Sequence, residues 1–164
     1  MLARQVADGE LVRVRRGLYW KGVRTPIGTT KPSPYDVGMH VAGRGSGLAG
    51  FAAASMLGLT TQVPSVLEIA VPRSARLPVA PPGVVFVKRD MLRYELDLNP
   101  VEVAVIEVAS DWPKTAEEDW DKFEDLTKKL VVDGALRPVI MVGYGALRYG
   151  GVLNDVYREL VSRL

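Results

Sequence analysis

Three arginines early in the sequence have the side-chain type and spacing needed to bind a phosphate backbone. Arg13, Arg15 and Arg16 lie in the segment 11–20, where apolar and basic residues alternate. Side chains along a strand point alternately to opposite faces, so Arg13 and Arg15 should share one face of a strand. The opposite face is expected to hold Val12, Val14 and Leu18. Such a surface suits nucleic acid, because each guanidinium can donate two hydrogen bonds to phosphate oxygens, although a solvated edge strand protected by its charges would show the same pattern.

The charge is distributed unevenly along the chain. The formal net charge is only +2, but residues 1–31 hold seven basic residues against two acids, and residues 95–125 hold eleven acids against two lysines. Such a division is typical of a protein with one face for nucleic acid and another for a different partner. It also arises on ordinary surfaces whose charges happen to segregate.

A glycine pattern in the middle of the chain is the main candidate for nucleotide binding. Gly45, Gly47 and Gly50 match G-x-G-x-x-G, and Glu68 follows at about the distance of a ribose-binding acid. The dinucleotide fingerprint requires a hydrophobic strand immediately before it, whereas a predicted helix precedes it here. We therefore interpret the glycines as small residues for close helix packing and keep a nucleotide-binding enzyme as a third hypothesis.

The remaining titratable residues do not predict catalysis. His40 is the single histidine and cysteine is absent, so disulfides and thiolate metal sites are excluded. No nucleophile elbow is found in the sequence, and we expect no catalytic residue, no metal site and no cofactor. Six acids between Glu117 and Asp125 are more typical of a solvated helix face than of a metal site. As an alternative function, the predicted helix 116–130 would dock a basic protein partner.

The elements that position these residues include both helices and strands. Residues 2–8 are predicted as a short helix, and residues 21–34 as a loop that links two parts of the chain. Ser33 and Asn99 each precede a proline and have an acid three residues later, which predicts two capped helices. Further helices are predicted over 47–57, over 116–130 and over 152–164, and the second of these has its predicted cap at Thr115. Strands are predicted over 66–71 and 84–88, and the segment 72–83 connects them. This order predicts an α+β protein.

The sequence shows no targeting or membrane segment. No apolar run is long enough to span a bilayer, and there is no signal-peptide pattern. Together with the absence of cysteine, this indicates a cytoplasmic protein without contact to a membrane.

Two segments resemble motifs of the AbiEi-type antitoxins. The segment 11–19 is similar to the basic wing strand of that family, which ends in Arg-Gly-Leu-Tyr. The segment 52–64 is similar to its central motif, an alanine-rich helix that runs into Leu-Gly-Leu-Thr-Thr-Gln-Val-Pro. The two segments occur in the family's order and at about its spacing, and the resemblance covers residues 1 to about 110.

The resemblance implies a bacterial antitoxin of a type IV toxin–antitoxin system that is also a transcriptional autorepressor and not an enzyme. The expected fold is a partial winged-helix remnant, made of a helix and a β-wing, over residues 1–32, followed by a mixed α/β antitoxin domain with C-terminal helices over residues 33–164. The expected partners are operator DNA and a nucleotidyltransferase-like toxin, often counteracted without a stable complex, and a homodimer is one option for the assembly. The implied DNA-binding residues are Arg4, Arg13, Arg15, Arg16, Tyr19 and Lys21, and the implied antitoxin motif comprises Thr60, Thr61 and Gln62.

One departure from the family pattern affects the expected DNA binding. In the family a helix-turn-helix precedes the wing, whereas only about ten residues do so here. We therefore expect either that the chain begins late or that this member has lost the motif. Because a wing without a recognition helix reads the major groove poorly, the expected DNA binding is weakly specific.

Overall fold

A short helix and a β-hairpin form the N-terminal part of the protein. The computed structural model describes residues 2–73, 76–112 and 114–138. Helix α1 (Leu2–Ala7) is followed by the antiparallel strands β1 (Val12–Arg15) and β2 (Leu18–Trp20). Gly17 lies at the turn with φ of 79°, a left-handed backbone conformation that glycine adopts without steric cost. The basic segment is thus a hairpin rather than one continuous strand.

The segment 21–34, which the sequence predicted as a loop, contains a second small ladder. Strands β3 (Arg24–Thr25) and β4 (Gly28–Thr29) pair antiparallel. Polar side chains tie this ladder back to the end of α1, because the hydroxyl of Thr29 donates to the carbonyl oxygen of Gly9 at 3.0 Å. The predicted loop therefore contains this short ladder, which the sequence did not predict because the segment has no apolar periodicity.

A three-stranded mixed sheet lies at the centre of the rest of the fold. Helix α2 (Pro34–Ala42) precedes strand β5 (Gly47–Leu48), and helix α3 (Gly50–Met56) leads to strand β6 (Leu67–Pro72) and strand β7 (Val84–Arg89). The strand order is β5-β6-β7, with β5 antiparallel and β7 parallel to β6. The proline-rich connection between β6 and β7 was predicted correctly.

Both faces of β6 are covered. Ile69 and Ala70 are neighbours in this strand, so their side chains point to opposite faces, and both are fully buried. Helix α2 packs over β6 and β7 because Gly38 lets it approach: a Cβ atom at Gly38 would lie 2.6 Å from Cδ1 of Ile69. The buried alanines of α3, Ala53 and Ala54, allow a similarly close approach to helix α5 (Pro100–Asp111).

The predicted buried helix starts later than expected. The sequence placed its first residue at Gly47, whereas Gly47 and Leu48 form β5 and the helix begins at Gly50. Leu48 pairs with Ile69, and the N–H of Ala49 donates to the carbonyl of Glu68 at 2.9 Å. These residues form a strand because they pair with β6. The sequence did not predict this, because an apolar run alone does not distinguish a buried strand from a buried helix.

Three helices complete the described part of the chain. They are α4 (Leu92–Glu95), α5 (Pro100–Asp111) and α6 (Trp120–Val132). The two predicted capping boxes, at Ser33 and at Asn99, are both confirmed.

The cap of α6 differs from the prediction. Asp119, not Thr115, is the N-cap, and its carboxylate accepts from the N–H of Lys122. The N–H groups of Glu117 and Glu118 both donate to the carbonyl of Leu59, which holds this segment outside the helix.

The α+β class is confirmed by this architecture. The predicted C-terminal helix 152–164 lies outside the described residues. Within the described ranges, no helix combines the length and apolar character needed to cross a membrane.

Candidate nucleic-acid interface

The hairpin β1–β2 presents its arginines to solvent. Arg13, Arg15 and Arg16 are all exposed, whereas Val12 and Val14 between them are partly buried. None of the three guanidinium groups has an ion-pair partner among residues 2–73, 76–112 and 114–138. The predicted separation of a cationic face from an apolar face is therefore present, and the cations are available to a ligand.

The apolar side of the hairpin lies over the first turns of α2. Val14 and Leu18 line a cavity of about 310 Å³ together with Tyr35 and Met39 of α2. His40 lies at the same cavity and is exposed. The hairpin and α2 thus line one cavity, and the arginines lie on the exposed side of the hairpin.

The other predicted DNA-binding residues flank the three arginines along the chain. Arg4 on α1 is 89% exposed and lies 3.7 Å from the carboxylate of Asp8, a solvent-screened pair of little strength. Tyr19 pairs directly with Arg13 across the hairpin and is partly buried. Lys21 follows β2 and is exposed. Each of these side chains is accessible in the N-terminal part of the fold.

Two further cations belong to the same surface but were not among the predicted site residues. Lys31 lines a groove together with Arg13 and Arg15. Arg24 is exposed and donates to the carbonyl oxygen of Asp8 at 3.2 Å. Their place within the basic segment 1–31 is the signal that could have found them.

The predicted antitoxin motif forms a turn that is held by one carboxylate. Glu117 accepts hydrogen bonds from the N–H of Thr61 at 2.8 Å, from the hydroxyl of Thr61 at 3.0 Å and from the side-chain amide of Gln62 at 3.0 Å. The hydroxyl of Thr60 accepts from the N–H of Gln62. The side chains of Thr61 and Gln62 are thus both bound to Glu117.

These hydrogen bonds change the acidity of Glu117. The N–H of Thr61, then the amide of Gln62 and the hydroxyl of Thr61, hold the pKa of Glu117 below its ordinary value of 4.5. No hydrogen bond or ion pair among the described residues joins this turn to the arginines of the hairpin. The two predicted sets of site residues therefore form separate surfaces.

The glycines of the G-x-G-x-x-G pattern are explained by packing. A Cβ atom at Gly45 would lie 2.7 Å from the carbonyl oxygen of Arg93, and one at Gly47 would lie 2.7 Å from Cβ of Val103. At Gly50 it would lie 2.7 Å from the carboxylate of Glu68. Helix α2 precedes the pattern, and the two-residue strand β5 lies inside it and runs antiparallel to β6, whereas a parallel strand precedes the glycines of a dinucleotide-binding unit.

Most of the acids near α6 are engaged within the protein. Besides Glu117 and the helix cap Asp119, Glu118 pairs with Lys122, and Lys128 lies 3.6 Å from both Glu124 and Asp125. Because these pairs are exposed, solvent screens them, and the segment 117–125 keeps a surplus of acids, six against one lysine. In the described residues no cluster of three metal-ligating side chains occurs.

Comparison with known proteins gives a remote similarity to a solved structure. No protein-family model and no curated protein matches the chain. Among solved structures, the chain is similar to the RV2827C protein from Mycobacterium tuberculosis, with 18% sequence identity and a TM-score of 0.42, over 99% of this chain and 68% of that chain. At this level the likeness carries no functional argument.

A buried ionic network connects β7, α4 and α5 behind the sheet. The carboxylate of Glu107, only 2% exposed, accepts from Arg89 at 2.6 and 2.8 Å and lies 2.6 Å from the equally buried guanidinium of Arg93. Glu102, fully buried, binds Arg137 at 2.7 Å and raises the pKa of that guanidinium. Glu102 and Glu107, which lie within the otherwise apolar run 101–109 of α5, are the sequence signal for such partners.

Proposed function

We propose that this protein is a DNA-binding regulator of the antitoxin type. The observation that carries the proposal is the hairpin β1–β2, whose three exposed arginines have no ion-pair partner in the described chain and whose partly buried Val14 and Leu18 line a cavity shared with α2. Phosphate contacts by arginine position a protein on DNA without reading the bases. We therefore expect the affinity for DNA to depend strongly on the positive charge of the protein and only weakly on the base sequence of the DNA.

The resemblance of segments 11–19 and 52–64 to AbiEi-type antitoxins supplies the biological part of this proposal. The protein would be a cytoplasmic transcriptional autorepressor that counteracts a nucleotidyltransferase-like toxin. Arg4, Tyr19 and Lys21 would extend the contact surface around the hairpin. The turn at residues 60–62 would belong to the antitoxin part, in the conformation that Glu117 supports.

A pair of charge-matched variants tests the DNA contact. The variant R13A/R15A removes two exposed cations from the hairpin, and K114A/K129A removes two exposed cations from the C-terminal half. Both lower the net charge by the same amount. Binding to labelled DNA from the protein's own promoter region is measured by fluorescence anisotropy, with a scrambled duplex of equal length beside it.

We expect R13A/R15A to weaken binding to both duplexes by about tenfold or more, because two phosphate contacts are lost. K114A/K129A should bind within about twofold of the wild type. If both variants weaken DNA binding equally, the effect comes from net charge and not from the hairpin. A further variant with alanine at Arg13, Arg15, Arg16 and Lys21 would refute the interface if it bound DNA like the wild type.

A further inference from the structure

A groove runs along the outer edge of β1. It has a volume of about 550 Å³ and is lined by all four residues of the strand, Val12–Arg15. The pairing of β1 with β2 shifts register between Arg13 and Arg15, but burial still alternates along the strand. A groove that touches all four residues therefore follows the edge of the strand rather than one of its faces. Its size is in the range of sites that hold small ligands or short peptide segments.

The backbone on this edge of β1 is free of pairing. The strand pairs with β2 on its other edge, and within the described ranges no backbone hydrogen bond reaches β1 from the opposite wall. That wall is the segment 79–82, in which Pro81 and Pro82 have no N–H to donate. The carbonyl of Pro81 accepts from Val84, which fixes the wall to the start of β7. An unpaired strand edge of this kind is a template for an added strand.

The lining of the groove is apolar at its base and cationic at its margin. Val37 and Pro34 of α2 contribute to the base, and Arg13, Arg15 and Lys31 bring three positive charges. None of the described residues that line the groove is acidic. The groove therefore favours a ligand with negative side chains and an extended backbone.

We propose that this groove binds an extended acidic segment of another protein, which adds to β1 as a strand. The backbone of the segment would pair with the free edge, alternate apolar side chains would enter the base, and alternate carboxylates would meet Arg13, Arg15 and Lys31. The inference goes beyond the proposed DNA binding, but the two share Arg13 and Arg15. An acidic segment in the groove and DNA on the hairpin would then exclude each other.

The test uses a short fluorescent peptide of alternating glutamate and valine and two control peptides. The first control has lysine in place of glutamate, which reverses the charge. The second keeps every side chain but carries N-methyl groups on the alternate amides that would face β1, so it cannot form a ladder. We expect both controls to bind the wild-type protein at least about tenfold more weakly than the acidic peptide. Equal binding of the N-methylated peptide would overturn the proposal, because the attraction would then rest on charge alone.

A variant separates the groove from the DNA surface. A80W places a large side chain in the groove without changing any arginine, and A3W makes the same substitution on exposed α1. We expect A80W to weaken peptide binding at least about tenfold and to leave DNA binding within about twofold, and we expect A3W to bind the peptide like the wild type.

The outcomes distinguish this proposal from the proposed function. If the protein binds DNA but not the acidic peptide, the groove proposal is overturned and the proposed function stands. If the peptide binds but does not displace DNA, the two ligands do not share a surface. If circular dichroism shows that A80W does not fold, the N-methylated peptide on the wild-type protein decides the question.

Discussion

Glu117 organises the turn at residues 60–62 through a single side chain. Its carboxylate accepts three hydrogen bonds from Thr61 and Gln62, although it is itself exposed to solvent. Hydrogen bonds to the charged form lower a carboxyl pKa, as they do here. The turn is therefore stabilised by the ionised form of Glu117.

Replacing Glu117 with Gln should destabilise the protein near neutral pH and have little effect in acid. The folded-state pKa lies below the ordinary value of 4.5, so the stabilisation is present above about pH 4.5 and is lost as the pH falls through the lowered pKa. The measurement is the melting temperature of the wild type and E117Q between about pH 3 and pH 7. Glu118 is the control, because it pairs with Lys122 and makes no recorded contact with the turn. A difference in melting temperature that is the same at every pH would contradict the account.

The substitution Glu107→Ala should be among the most destabilising single changes. It removes the carboxylate that Arg89 and the fully buried Arg93 share. Loss of one partner from a buried ion pair typically lowers the free energy of unfolding by about 3–5 kcal/mol, because the remaining charge stays buried. Chemical denaturation of E107A and of the exposed control E95A measures the effect. A loss below about 1 kcal/mol would show that water or a new partner replaces Glu107.

At the scale of elements, two glycines with the same backbone conformation separate strain from close packing. Gly45 has φ of 69° and Gly58 has φ of 71°, but a Cβ atom at Gly45 would meet the backbone of Arg93 at 2.7 Å, whereas one at Gly58 would meet nothing within 4 Å. Gly58→Ala should therefore lower the free energy of unfolding by about 1–2 kcal/mol, the usual penalty for a left-handed alanine. Gly45→Ala should lower it by clearly more.

Thermal and chemical unfolding of both glycine variants, with nucleotide added in parallel, checks this prediction. If both variants lose the same free energy of unfolding, close packing against Arg93 is not the reason for glycine at position 45. A shift of the melting temperature on adding nucleotide would favour the dinucleotide interpretation instead.

Elements fixed by local chemistry could be predicted from the sequence, and those fixed by distant contacts could not. The helix starts at Ser33 and Asn99 were predicted because the cap and its reciprocal acid lie within four residues. The start of α3 was wrong because pairing with β6 takes Gly47 and Leu48. The cap of α6 was wrong because Leu59 holds the preceding segment.

The same distinction applies to the candidate site. The exposure of Arg13 and Arg15 follows from the alternation of side chains along β1, a local pattern. The role of Glu117 depends on a contact with Thr61 across 56 residues, for which a single sequence gives no signal. The groove beside β1 depends on the position of the segment 79–82, which also comes from the tertiary fold.

At the scale of the whole molecule, the two halves use their charges differently. In the N-terminal part, Arg13, Arg15 and Arg16 are exposed without ion-pair partners among the described residues. In the C-terminal half, most acids are engaged in ion pairs, caps or the turn that Glu117 holds. The basic end therefore carries a surplus of positive charge that would attract a polyanion, whereas the segment 95–125 keeps a surplus of acids.

The salt dependence of DNA binding tests the central claim most directly. If the hairpin and its neighbours engage three to four phosphates, a plot of log K against log salt should have a slope of about −3, and R13A/R15A should make it shallower by about 2. The affinity of wild type and variant is measured by fluorescence anisotropy from low to physiological salt. A slope near zero, or an identical slope for R13A/R15A, would contradict a phosphate interface on the hairpin.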